Sequence, residues 1–182
     1  MRLAVTGPQN TGKTTFIKDF LSAFPNYITP EETYRDVVRK NRLKLNRITT
    51  KNSQKTIRDF LYKQTTENKQ KNIIFDRCVL DNLIYSLYQY EIGNFKKEFI
   101  NKTRKMVYDS LKNLDGLIFI PTSVAVVLAD DGERDINKEY IDAINRLFVS
   151  EILEVARKTK IKIFTITGNR ETRIKHIGNL IK

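Results

Sequence analysis

Gly7, Gly12, Lys13 and Thr14 stand at the spacing G-x-x-x-x-G-K-T within the run VTGPQNTGKTT. Each residue type suits one task. Glycine lets the backbone curl tightly, with no side chain between it and an anion. The N–H groups of such a loop, through Asn10, Thr11, Gly12, Lys13, Thr14 and Thr15, form a nest for phosphate oxygens. The Lys13 ammonium would reach the β- and γ-phosphates, and the Thr14 hydroxyl would ligate Mg²⁺. A short apolar strand, Arg2 to Thr6, precedes the loop and an amphipathic helix, Lys13 to Ala23, follows it. That order supplies the helix N-terminus whose partial positive charge favours an anion. The stretch predicts a site for a nucleoside triphosphate, ATP with Mg²⁺.

Three further places carry candidate chemistry. The run NIIFD, residues 72–76, is a buried-type strand ending in Asp76, followed at once by Arg77. An acid at that strand tip can serve the Mg²⁺ shell or accept a proton from an attacking hydroxyl, and it can also cap the next helix. The planar fork of Arg77 suits a phosphate or a ribose-bearing substrate. Glu31 and Glu32 follow a short strand at Tyr27–Thr29, at the carboxyl end of a sheet, where a general base or a hydroxyl contact belongs; first-turn helix charge explains them as well. The run DDGERD places Arg134 in a charged, glycine-hinged loop, about 130–136, fit for a lid over the phosphates or for a plain solvated turn. Asn169, in the turn Thr167-Gly168-Asn169, caps the last helix and would lie near the adenine.

Those residues need a scaffold, and the apolar periodicity provides it. Five short strands, at 2–6, 27–29, 72–76, 117–120 and 161–166, alternate with helices. Alternation of this kind means an α/β fold, here the P-loop NTPase fold, with a five-stranded parallel sheet and helices on both faces. The chain of 182 residues reads as a single domain. Residues of about 33–70 form a helical insertion on the substrate side, with Ser53 capping its second helix.

Composition narrows the partners. Thirty-three Lys and Arg against 21 Asp and Glu give a net charge of +12, which suits nucleotides or nucleic acid, or simply a lysine-rich surface. One cysteine, Cys78, and one histidine, His176, leave no metal cluster and no Ser/His or Cys/His triad. No apolar run is long enough for a membrane span, no room precedes the first strand for a signal peptide, and a cytoplasmic protein is expected.

In order along the chain, VTGPQNTGKTT, the Glu-rich turn, FDRCVLDNLIYS, DDGERD and TITGNRETRI resemble the ribosylnicotinamide-kinase-type P-loop domain, the kinase part of a bacterial NAD regulatory protein. The Asp76-Arg77 turn is also similar to that of thymidylate and deoxynucleoside kinases. The resemblance implies that Gly7, Gly12, Lys13, Thr14 and Thr15 hold ATP phosphates and Mg²⁺. It further implies that Asp76 is the Mg²⁺-shell acid or base, Arg77 a substrate contact and Arg134 the lid arginine. Two features depart from it: Cys78 replaces a small polar residue, and the region 31–71 is more basic than a neutral nucleoside requires. The expected function is ATP-dependent phosphoryl transfer to a nucleoside or nucleotide. A polynucleotide 5′-kinase and a nucleotide-dependent regulatory ATPase are the alternatives.

Overall fold

The computed structural model describes residues 1–122 and 137–181. The loop expected as a lid, with Arg134, lies outside the described residues. Four parallel strands, β1 (Arg2–Thr6), β2 (Ile73–Asp76), β3 (Gly116–Phe119) and β4 (Lys162–Thr165), form one sheet in the order β2-β1-β3-β4. Val5 pairs with Asp76 on one side and with Ile118 on the other, so the carboxyl ends of the strands share one edge.

Alternation along the strands sorts the core into two layers. Leu3, Val5, Ile74, Ile118 and Phe164 face α1 (Lys13–Ala23) and α7 (Arg170–Leu180), packing on Phe16, Phe20 and Ile177. Ala4, Ile73, Phe75, Leu117 and Phe119 face the opposite layer. That layer contains α3 (Lys51–Glu67), α4 (Val79–Glu91), α5 (Lys97–Leu111) and α6 (Lys138–Lys158). Helices on both faces of a parallel sheet therefore hold as expected.

Two expectations need correction. The segment 27–29 makes no full strand; Ile28 forms an isolated parallel bridge to Ile73, donating to the Asn72 carbonyl at 3.0 Å and accepting from the Ile74 N–H at 2.9 Å. Pro25 and Pro30 bracket this stretch, and proline offers no ladder donor, so pairing stops after one register position. The helix cap also moves. Thr50, not Ser53, caps α3 by accepting from the Ser53 N–H, and Ser53 lies buried inside the first turn.

The region 33–50 folds in short pieces. Thr33 and Asp36 form a capping box at the start of α2 (Tyr34–Lys40). Arg42 and Asn46 then adopt positive φ, which ends the helix and turns the chain back through a 3-10 turn at Asn46–Ile48. This segment roofs the carboxyl edge of the sheet and closes a cavity there.

Candidate active site

Gly7 has to be glycine for two reasons. Its φ is +146°, and a Cβ there would meet the Ile120 carbonyl oxygen at 2.3 Å. The loop thus leaves β1 pressed against the end of β3. It then passes through Asn10 at φ 64° and Gly12 at φ 80°, and α1 starts at Lys13. The Thr11 hydroxyl donates to the Pro8 carbonyl at 3.1 Å. Lys13 folds back over the loop, donating from Nζ to the Pro8 carbonyl and to the Thr11 hydroxyl.

Burial governs the Lys13 charge. Its pKa is lowered to about 7, first by desolvation and then by the nearby Arg77 and Arg35, against the opposing pull of Asp81 and Asp76. A buried ammonium held only by neutral oxygens is short of anions. The Asn10 side-chain amide is likewise buried with neither its oxygen nor its nitrogen paired. Both groups line the cavity, and polyphosphate oxygens would accept from the Lys13 ammonium and from the Asn10 amide nitrogen.

Beside the loop lies a second charged group. Arg77 sits at φ 75°, and its backbone N–H donates to the Val5 carbonyl at 3.0 Å. Its guanidinium is stacked over Tyr34 at 4.7 Å and over Tyr85 at 5.8 Å. It donates to the Asp81 carboxylate at 3.0 Å, leaving its Nε buried and unpaired. Asp81 also accepts from the Thr6 hydroxyl at 2.9 Å and the Cys78 N–H at 3.2 Å. Burial pushes the Asp81 carboxyl up, while Arg77 and Lys13 pull it down. The α4 cap is accordingly Cys78 with Asp81, not Asp76 as the sequence suggested.

Asp76 is thereby left open to solvent and ligand. Its carboxylate and the exposed Thr14 hydroxyl have no hydrogen-bond or ion-pair partner among the described residues, and both line the cavity. One carboxylate and one hydroxyl are hard oxygen donors of the kind Mg²⁺ takes together with phosphate oxygens and waters. The described residues contain no cluster of three metal-ligating side chains, in keeping with that sparse set.

The cavity has a volume of about 700 Å³. Its lining combines Asn10 to Thr15, Asp76 and Arg77 with the apolar Val38, Leu43, Leu45, Ile57 and Leu61. Gln54 and Asn82 line it too: the Asn82 side-chain amide donates to the Gln54 carboxamide oxygen at 2.6 Å and the Gln54 carbonyl at 3.0 Å, and its own oxygen is buried and unpaired. Arg35, Arg39, Lys44 and Arg47 line the same space.

The other expected site residues lie apart from this cavity. Glu31 and Glu32 are exposed and do not line it; the Glu32 carbonyl accepts from Gln64 at 2.7 Å. Asn169 caps α7, accepting from the Thr172 N–H at 2.9 Å, and is exposed. Sequence reasoning gave no site role to Arg35, Asp81, Gln54, Asn82 or Arg173. For Asp81 the D-R-x-x-x-D spacing was a signal, since an i, i+4 pair on a helix start brings arginine and carboxylate together.

A four-stranded parallel sheet, a glycine-bounded phosphate loop after its central strand and an acid-arginine turn after the neighbouring strand define the P-loop kinase fold. Solved structures share it along nearly the whole chain. A deoxyadenosine kinase from M. mycoides, determined with bound dCTP, matches with a TM-score of 0.72 and 20% identity over 100% of this chain and 98% of that one. NadR protein in complex with NR matches with a TM-score of 0.67 and 15% identity, covering 97% of this chain and 51% of that one. Thymidylate kinase from Candida albicans follows at 0.66 and 14%, over 98% and 89%. By sequence, no curated protein matches. A family profile described as AAA domain spans residues 2–173, and the chain belongs to that family.

Proposed function

We propose that the protein transfers the γ-phosphoryl group of ATP to a nucleoside or nucleotide. The observation that carries this reading is the lining of the cavity. The phosphate loop shares one cavity of about 700 Å³ with the apolar side chains Val38, Leu43, Leu45, Ile57 and Leu61 and with the Gln54–Asn82 amide pair, a lining that phosphate binding alone does not call for. A nucleotide switch that uses only water needs no such lining. The similar structures include a deoxyadenosine kinase with bound dCTP, NadR protein in complex with NR and a thymidylate kinase, which agrees with a base-bearing acceptor.

Each residue then takes a role. The loop N–H groups and Lys13 hold the β- and γ-phosphates. Thr14 and Asp76 would hold Mg²⁺, which supplies charge neutralisation at the transferring group when bound. Asp76, without a hydrogen bond or ion pair among the described residues, would serve either that Mg²⁺ shell or as acceptor of the substrate hydroxyl proton, and Arg77 would neutralise charge on the acceptor side. Arg134 is assigned to the lid on its sequence alone. Glu31 and Glu32 remain candidates only if their loop turns inward when substrate binds. Catalysis would rest on positioning and electrostatics, with no covalent intermediate.

The test is ATP consumption with Mg²⁺, alone and against a panel of nucleosides, nucleotides and 5′-hydroxyl oligonucleotides. ADP release that depends on one small acceptor supports the reading. Release indifferent to every acceptor overturns it in favour of an ATPase. Dependence on oligonucleotides, weakening steeply with salt, would assign the basic cavity rim to a polynucleotide backbone.

A further inference from the structure

The C-terminal helix α7 reaches the phosphate loop across 162 residues of sequence, through Arg173. Its Nη1 donates to the Thr11 carbonyl at 2.7 Å, and its Nε donates to the Gly168 carbonyl at 2.8 Å. One guanidinium therefore bridges the turn that starts α7 and the crown of the loop. A Cβ on Gly12 would stand 3.3 Å from Nη1, a tight approach at a backbone φ of +80° that already favours glycine.

The peptide plane makes this contact consequential. No peptide bond among the described residues is cis. In a trans peptide the C=O and the N–H point in opposite directions. Drawing the Thr11 carbonyl outward toward Arg173 must turn the Gly12 N–H the other way, toward the cavity that Gly12 lines.

We infer that Arg173 is a positioning residue of the phosphate site: it fixes the Thr11–Gly12 peptide so that the Gly12 N–H is presented to the polyphosphate, and it makes α7 part of the binding apparatus. The inference rests on the reading of the loop as a nucleotide site. Half-burial with a donated pair of hydrogen bonds leaves the side chain little freedom, so the peptide is preset before ligand arrives. Without it the peptide can flip, and each flip removes one donor from the nest.

The experiment compares wild type with Arg173→Ala, Arg173→Lys and Arg170→Ala for binding of ADP and of tripolyphosphate, by calorimetry, alongside ligand-free thermal unfolding. Arg170 is the control, since its exposed bidentate pair with Asp19, at 2.6 and 2.9 Å, also docks α7 but does not touch the loop. The expected result is a loss of about tenfold or more in both affinities for Arg173→Ala, part of it recovered in Arg173→Lys, with Arg170→Ala near wild type. Tripolyphosphate separates the loop from any contact to a base. Unchanged tripolyphosphate affinity in Arg173→Ala, or an equal loss in Arg170→Ala, overturns the proposal while leaving the nucleotide site standing. A wild-type protein that binds neither probe overturns the nucleotide reading itself, and this proposal with it. If Arg173→Ala does not fold, the same comparison is read from Arg173→Lys, where affinity equal to Arg170→Ala is the overturning result.

Discussion

Lys13 should make the ligand-free protein more stable as the pH rises above neutral. The side chain is buried, and its pKa falls from 10.5 to about 7. In the unfolded chain the lysine stays protonated up to its ordinary value. Between the two values the unfolded state binds more protons than the folded state, so stability increases with pH. From pH 7 to 8.5 the gain is about 1.6 kcal/mol, for a group half-titrated at the start of that window. Such a gain raises the melting temperature by roughly 3–6 °C for a chain of this size. The window should stop there, because Cys78 and Tyr85 have raised values from burial and act in the opposite sense in more alkaline solution. The assay is urea unfolding of wild type and Lys13→Met at pH 7.0, 7.5, 8.0 and 8.5. Methionine keeps the volume and removes the charge. It should flatten the profile and, at pH 7, leave the ligand-free protein at least as stable as wild type, since a desolvated cation is gone. Binding of ADP should show the complementary sign: a polyanion favours the protonated lysine, so wild-type affinity should fall by up to about tenfold per pH unit above 7. Equal slopes in wild type and Lys13→Met, or a flat wild-type profile, would refute the argument.

The acid pair after β2 should separate stability from turnover. Asp81→Ala strands a buried Arg77 and the Thr6 hydroxyl and should cost about 3–5 kcal/mol in urea unfolding. Asp76→Asn removes no hydrogen bond or ion pair, only a charge attraction to Lys13, Arg35 and Arg77, so it should change stability by less than about 1 kcal/mol while turnover falls by at least about a hundredfold. Gly7→Ala forces a Cβ into the Ile120 carbonyl at a backbone angle that glycine favours, and a loss of about 3 kcal/mol or more should appear as a melting point lower by roughly 10 °C. Gln54→Ala should raise the KM for the acceptor about tenfold or more and leave the KM for ATP unchanged, as steady-state kinetics with each substrate varied in turn would show.

What the sequence revealed was local. The loop, the helix Lys13–Ala23 and the strand ending in Asp76 depend on neighbours within a few residues, and their spacing carried them. The long helix capped by Asn137 was legible for the same reason, because its cap and its apolar stripe are written in consecutive residues. Ile28 was misread because a short β-branched run between two prolines has strand composition but room for only one bridge. Thr50 and Ser53 are both good caps, and only the turn before them decides which one the chain uses. The basic helix with Arg35 read equally as a substrate-side cover or a solvated face; the charge of Arg35 reaches Lys13 and Arg77, and its side chain lines the cavity. Arg173 had no sequence signal, since its partner is a carbonyl at the other end of the chain.

The position of β1 in the middle of the sheet has a consequence for how the molecule is made. Its two neighbours are residues 73–76 and 116–119, so the N-terminal strand cannot fill both of its edges until more than half the chain exists. Pairings this distant in sequence are slow, because loop closure must be met before contacts repay it. The Gly7 approach to Ile120 comes later still, and the Arg173 contact to Thr11 waits for the C-terminal helix. The phosphate loop therefore reaches its final shape only after strands distant in sequence have paired. Capture of a nucleotide by this loop would report that these distant pairings are in place.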